Sequence, residues 1–320
     1  MGEALDQHQP PSRHRRVLVI SAFAAVYLIW GSTYLGIRFA VETLPPFLMG
    51  GGRFLLAGGI LYSFLRYRGA AQPSRPDWTN AFIVGTLLLG IGNGGVNWAE
   101  QHVPSGLVAL IIAVTPVWFA LFDWLRPGGT RPKVTTVIGI VIGFGGMVFL
   151  VNPAAAASGT GIDPKGLAAV LAASIAWAFG SLYSRYTPKP LEPLMGGALQ
   201  MLAGGAVLCL VGVLAGEADA FSIHRASTRS LIAFAYLTLI GSLVGFTAYS
   251  WLLKTTTPAR VSTYAYVNPV IALFLGWAFA GEVLTGRIVA AAAVILLGVV
   301  IILSPSSSPP KAGAARPKAP

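Results

Sequence analysis

The 320-residue chain has a single cysteine, Cys209, which excludes an intrachain disulfide. Its four histidines, His8, His14, His102 and His224, fall in tails or loops without the spacing of metal ligands, so neither a metal site nor a cofactor is expected. Charged residues are only 10% of the composition against 55% hydrophobic residues, and the mean hydropathy is +0.70. That balance excludes an ordinary water-soluble domain. Acidic residues are scarcer than basic ones, 11 against 22, giving a net charge of +11. The basic residues are scattered through short loops and do not build one face, which argues against a nucleic-acid partner. The chain lacks GxxxxGK[ST]; its nearest imitation, GTGIDPKG at 159–166, has the wrong spacing for a phosphate loop. It also lacks HExxH, so ATP-driven pumping by this chain alone and zinc-dependent intramembrane hydrolysis both lose their usual signatures. The apolar run after Arg13, His14, Arg15 and Arg16 is too long for a cleaved signal peptide and reads as a retained signal anchor.

What the chain does have is apolar length, repeated. A membrane-crossing helix needs roughly 20 apolar residues. Ten segments meet or approach that length: 17–41, 46–65, 80–98, 104–125, 134–151, 166–183, 194–215, 230–253, 258–280 and 287–303. LMGGGRFLLAGG from Leu48 to Gly59 returns as LMGGALQMLAGG from Leu194 to Gly205. Gly31, Ser32 and Tyr34 recur as Gly180, Ser181 and Tyr183, and Pro116, Trp124, Gly145 and Leu150 recur as Pro269, Trp277, Gly298 and Leu303. Two copies of a unit with an odd helix count must lie upside down relative to each other across a bilayer. The expectation is therefore an all-α integral membrane protein of ten transmembrane helices in two inverted five-helix repeats, 17–151 and 166–303. An external linker at 152–165 joins them, between a cytoplasmic amino-terminal tail, 1–16, and a disordered cytoplasmic tail, 304–320. With the amino terminus inside, most of the 22 lysines and arginines collect on that side, so both termini are expected in the cytoplasm.

Polar and special residues inside these segments are candidates for function. Pro116 and Pro269 fall in the fourth and ninth segments, where each frees a carbonyl one turn earlier, on Ile112 and Ala265. Kinks at corresponding places in both copies mark gates or cavity walls, or else static packing. Asn93, Asn97 and Glu100 make one polar stripe on the third helix; Ser174, Trp177, Ser181 and Ser184 make one on the sixth, and Arg260, Tyr264 and Asn268 one on the ninth. Such faces imply a shared internal volume or hydrogen bonding in a dry core. Trp30, Tyr249, Tyr264 and Tyr266 lie deep enough to face a solute or fill the core. Arg53 lies within the second helix, where a lipid-facing arginine costs about 2.5 to 3.5 kcal/mol, so it must be paired, wet or snorkelled. A carboxylate-binding role and a pairing role are both open, with Glu42, Glu100 and helix C-terminal carbonyls as available partners. Arg38, nearer the end of helix one, is expected at the interface. Glu42, Glu100, Asp123 and Glu282 all fall toward helix ends, so no proton relay is evident and proton coupling stays open. Glu282 is expected to cap the last helix.

Residues now converge on a known family. WGSTYLGIRFAVETLPPFLMGGGRF, GNGGVNWAEQHVPSG, SIAWAFGSLYSR and STYAYVNPVIALFLGWAFAGEVLT resemble the EamA-domain proteins of the drug/metabolite transporter superfamily, the YedA-like branch most of all. The resemblance covers about residues 17–303. It implies a ten-helix bundle around a central cavity that moves solutes by alternating access, many relatives exporting amino acids or related metabolites. Carried onto this chain, the substrate cavity would be lined by Trp30, Ser32, Tyr34, Asn93, Asn97, Thr115, Trp118, Trp177, Ser181, Tyr249, Tyr264 and Asn268, with Arg53 added on its charge. The expected function is a monomeric secondary exporter of a small-molecule metabolite in the cell membrane. A drug, nucleobase or sugar-type carrier of the same superfamily is the alternative; a passive channel or an intramembrane enzyme is the competing class. No Ser, His and acid arrangement lies within the spans, so no enzymatic activity is expected.

Overall fold

The structure is a computed structural model and describes residues 13–129, 131–151, 162–187, 192–256 and 263–303. Most of the expected linker, most of the amino-terminal tail, the whole carboxy-terminal tail and Arg260 lie outside these residues. Among the described residues the chain is helical throughout, without strands. The main rods are α1 (Arg13–Ala40), α2 (Pro46–Tyr67), α3 (Arg75–Ala99), α4 (Ser105–Leu125), α5 (Val134–Val151), α6 (Pro164–Tyr186) and α7 (Pro193–Leu214). They continue with α8, built from Thr228–Tyr236, Leu237–Val244 and Gly245–Thr255, then α9 (Tyr264–Ala280) and α10 (Gly286–Leu303). By length and composition α1 to α8 can each cross a membrane, while α9 and α10 are shorter apolar helices.

Local chemistry sets the ends of these rods. Pro46 starts α2, where a missing N–H costs nothing. Asp163 caps α6 by accepting from the Lys165 N–H, and Ser227 caps α8 by accepting from the Ser230 N–H. Gly216 and Gly281 follow α7 and α9 with φ of +77° and +67°, a left-handed conformation that favours glycine. Each is followed by a glutamate that caps a different helix. Glu217 accepts from the Phe47 and Leu48 N–H groups at the start of α2. Glu282 accepts from the Ser105 N–H at 2.6 Å, the Ser105 hydroxyl at 2.7 Å and the Gly106 N–H at 3.0 Å. The sequence-based expectation that Glu282 caps the last helix is corrected: the turn after α9 aims it at the free amides of α4, where the dipole also favours an anion.

Small residues carry the helix contacts, as they must where lipid removes most of the hydrophobic drive. The duplicated glycine motifs pack on each other, α2 running against α7. A Cβ on Gly51 would lie 2.9 Å from the Gly205 carbonyl oxygen, and one on Gly58 would lie 3.0 Å from that of Ala198. As the number rises along α2 it falls along α7, so the pair is antiparallel. The α5–α10 pair follows the same rule through Gly139, Gly143 and Gly146 against Ile302, Gly298 and Ile295. In α3 and α6, Gly95 meets Ala169 and Ala173 while Gly180 meets Leu87, again antiparallel. Large apolar side chains such as Phe64, Leu210 and Phe274 point outward, which in water would be a liability and in lipid is a solvent-facing surface.

Two features depart from regular rods. α4 is broken: Ser105–Ile112 ends, a turn follows, and Thr115–Leu125 starts with Pro116 in its first turn. The carbonyl of Ile112 accepts from the Thr115 hydroxyl at 2.5 Å. Pro269 instead sits inside a continuous α9. Both α3 and α8 widen into π-helix, over Thr86–Asn93 and Leu237–Val244, and in each a side chain near the segment's end donates five residues back: Asn93 to Leu88 and Ser242 to Leu237.

Candidate functional site

A cavity of about 850 Å³ opens between the helices. Its deep part is lined by Trp30, Thr33, Tyr34 and Ile37 of α1, Arg53 and Phe54 of α2, Gly92, Asn93 and Val96 of α3, and Trp177 of α6. The break in α4 contributes Ile112, Ala113, Thr115 and Pro116, π-helical α8 contributes Gly241, and α9 contributes Tyr264, Asn268 and Pro269. The mouth lies at the other end of the same helices, among Asp123, Arg131, Lys133 and Arg185. There Arg126 donates to Asp123 at 3.0 Å, as does the Tyr186 hydroxyl at 2.6 Å, tying α4 to α6. That hydrogen bond to Asp123 raises the Arg126 pKa. Past Ile37 and Val96 the lining stops: Ala40, Ala99, Val103 and Val108 are at most 1% exposed, so packed side chains close that end.

Backbone irregularity and cavity coincide. Both π-segments and the break in α4 face the same space, which is where unwound polar backbone is tolerated at membrane depth. Sequence reading identified both prolines but not the π-segments, although Gly90 with Gly94 and Gly241 with Gly245 stand at corresponding helices. Ring contacts pre-shape one wall: Trp30 lies 5.0 Å from Tyr249 and 5.2 Å, edge-on, from Tyr264. The Asn268 amide nitrogen, turned toward them, donates to the main-chain oxygens of Tyr264 at 3.2 Å and Tyr27 at 3.3 Å, tying α9 to α1.

Of the residues singled out from sequence, Trp30, Tyr34, Arg53, Asn93, Thr115, Trp177, Tyr264, Asn268, Pro116 and Pro269 come together on this cavity. Five others lie off its lining. The Ser32 hydroxyl bonds backbone oxygens of α1 and the Tyr236 hydroxyl. Asn97 is fully buried, donating to the Pro46 oxygen at 3.3 Å between α3 and α2. Trp118 donates to the buried Ser174 hydroxyl. Ser181 is half-buried on α6. Tyr249 lies with its ring tilted against Trp30. Helical spacing assigns a face but not the neighbour that covers it. Thr33 and the basic mouth went unread for the same reason.

Arg53 is 5% exposed and lies on the cavity. Its Nε donates to the Ser242 hydroxyl at 3.0 Å, its guanidinium stands 4.7 Å from the Phe54 ring, and its Nη1 has no hydrogen-bond partner among the described residues. Neither Glu42 nor Glu100 reaches it. Glu42 pairs with Arg229 at 3.4 Å, and Arg38, expected at the interface, instead turns inward to donate to the Glu100 main-chain oxygen at 2.6 Å. The Glu100 carboxyl is fully buried and has no partner on either oxygen among the described residues. Burial above all, then Glu282, pushes its pKa well above the usual carboxylate range, with Arg38 opposing.

A multi-pass helical membrane protein with an internal cavity open at one end and shut at the other belongs structurally with membrane transporters. The comparisons narrow the class. The EamA-like transporter family matches residues 17–152 and again 164–304, and the chain belongs to that family. It is 41% identical to the uncharacterized inner membrane transporter YedA of Escherichia coli K12, over 85% of this chain and 87% of that one. It is 25% identical to the uncharacterized transporter YvbV of Bacillus subtilis, over 86% and 87% respectively. A solved crystal structure superposes with a TM-score of 0.62 at 20% identity, covering 89% of this chain and 97% of the other, a likeness of fold alone. Family and relatives point to transport and away from catalysis.

Proposed function

We propose that this chain is a secondary transporter that exports small carboxylate-bearing metabolites, amino acids or their analogues, across the cell membrane by alternating access. The observation that carries this reading is Arg53, a buried cation on an internal cavity with an unfilled hydrogen-bonding position and no carboxylate beside it among the described residues. A solute carboxylate supplies both the charge and the acceptor that the guanidinium lacks. The Trp30, Tyr264 and Trp177 rings offer an apolar wall for the rest of the molecule. Arg131, Lys133 and Arg185 at the mouth favour the approach of anions.

In this reading ten helices cross the membrane as two inverted five-helix units, with both termini and the basic mouth in the cytoplasm. The antiparallel pairs α2–α7, α3–α6 and α5–α10 support it, since ten alternating crossings make these pairs run oppositely. The carrier works as a monomer, and the broken α4 with the π-segments of α3 and α8 are where its helices bend. Purified protein in liposomes loaded with labelled amino acids is the test: efflux above protein-free liposomes is expected, reduced on Arg53→Ala. A complete absence of movement for amino acids and related acids overturns the substrate class.

A further inference from the structure

Beyond the solute site, one buried acid has no task in the binding of substrate. Glu100 follows the last turn of α3, one turn past Val96, where the cavity lining ends. Its side chain is 0% exposed and both carboxyl oxygens lack partners among the described residues. Three charged or titratable groups among the described residues interact with it, two from α1 and one from beyond α9. Arg38 of α1 donates to its main-chain oxygen and not to the carboxyl. Glu282, beyond α9, is occupied in capping α4 but is close enough to repel a charge on Glu100. Tyr34 of α1 lines the cavity and also interacts electrostatically with Glu100.

An isolated carboxylate in such a place is far more costly than the neutral acid. We infer that Glu100 is a proton-carrying site at the shut end of the cavity, through which transport exchanges solute for H⁺. The carboxylate takes one proton from water on the far side while that end is open, and closure buries it as the neutral acid. When solute occupies the cavity, the O–H bond breaks and the proton leaves as H⁺ past Tyr34 to cavity water. The carboxylate that remains faces Arg38, whose guanidinium needs only to swing from the neighbouring main-chain oxygen. One proton thus moves against one solute, and no other reactant is required. The sign follows from burial: an acid that binds its proton more tightly in the shut form makes that form more favoured as pH falls.

The solute-exchange part rests on the transporter reading above, but proton occupancy can be tested without any solute. Infrared spectra of the full-length protein in lipid, recorded across pH, are expected to contain the carbonyl stretch of a protonated acid at neutral pH, lost in Glu100→Gln. Arg38→Gln leaves the carboxyl in place and covers the case in which Glu100→Gln fails to assemble. Removing the opposing cation should move the disappearance of that band to higher pH. Wild-type spectra without a protonated-acid band at neutral pH, or a band unchanged by these substitutions, overturn the proton site. In proteoliposomes preloaded with labelled amino acids, an acidic exterior should accelerate wild-type efflux. Glu100→Gln should lose that acceleration while retaining exchange of label for unlabelled amino acid. Equal acceleration in wild type and Glu100→Gln overturns the coupling role. If no label moves through the wild type, the substrate reading has failed, and the infrared band still decides the proton site.

Discussion

Arg53 concentrates the chemistry of the cavity in one side chain. Its Ser242 contact holds the planar head in place, and its buried Nη1, without a hydrogen-bond partner among the described residues, suits a carboxylate. Replacing it with alanine removes a charged hydrogen bond worth about 1.5–3 kcal/mol, so apparent affinity for an acid solute should fall roughly ten- to a hundred-fold in concentration-dependent efflux. Lysine keeps the charge but not the fork, and Arg53→Lys should recover only part of that loss. Thermal stability in detergent separates binding from assembly: an alanine variant that melts like wild type yet binds weakly supports a solute role. Equal affinities would remove Arg53 from the site. The sequence marked Arg53 because a charge in an apolar segment is conspicuous. It could not say which groups face it, because Ser242 is far away in the chain and comes near only through the α2–α8 contact.

At the scale of helices, glycine sets how closely the rods approach. A Cβ on Gly85 would lie 2.5 Å from the Gln200 carbonyl oxygen and 3.0 Å from the Gly204 nitrogen, both backbone atoms that cannot move aside alone. Gly85→Ala should therefore separate α3 from α7 and destabilise by about 1–3 kcal/mol, read as a lower unfolding midpoint in detergent. Gly59, in the same repeated motif as Gly51, has nothing within 4 Å of a new Cβ. Gly59→Ala should be neutral or stabilise by up to about 1 kcal/mol through helix propensity. The two variants add the same methyl group and differ only in where it sits, so similar midpoints would refute the packing argument. Pro269 acts at the same scale. Alanine there restores a backbone donor to α9, and slowed efflux with normal insertion is expected; wild-type rates would reduce the proline to packing.

Across the whole molecule, the two ends of the cavity are held differently. At the shut end Glu282 satisfies three donors at the start of α4, and Glu217 satisfies two at the start of α2. Glycines with positive φ also follow α2 and Leu125, Gly69 and Gly128, but no glutamate follows either of them. The seal should therefore loosen when Glu282 is removed. In a Cys209→Ser background, a cysteine at Ala113, on the cavity wall, should react with an impermeant maleimide from the mouth side only. Adding Glu282→Ala should open reaction from the opposite side. Unchanged one-sided labelling would mean that the glutamate cap merely finishes a helix.

The linear order of residues alone determined the solvent this chain requires, the length of its rods, their recurrence in two halves and the two prolines. These are local or periodic properties, written in how many apolar residues follow one another and how far apart they repeat. Only the tertiary structure decided that Glu282 reaches α4, that Arg38 turns to Glu100, that Asn97 and Trp118 tie helices together, and that α3 and α8 widen around one space. Each of these depends on which distant backbone donor or small residue lies opposite. A helical period gives the direction of a side chain, whereas a packed neighbour determines whether that direction leads to lipid, to another helix or to a cavity.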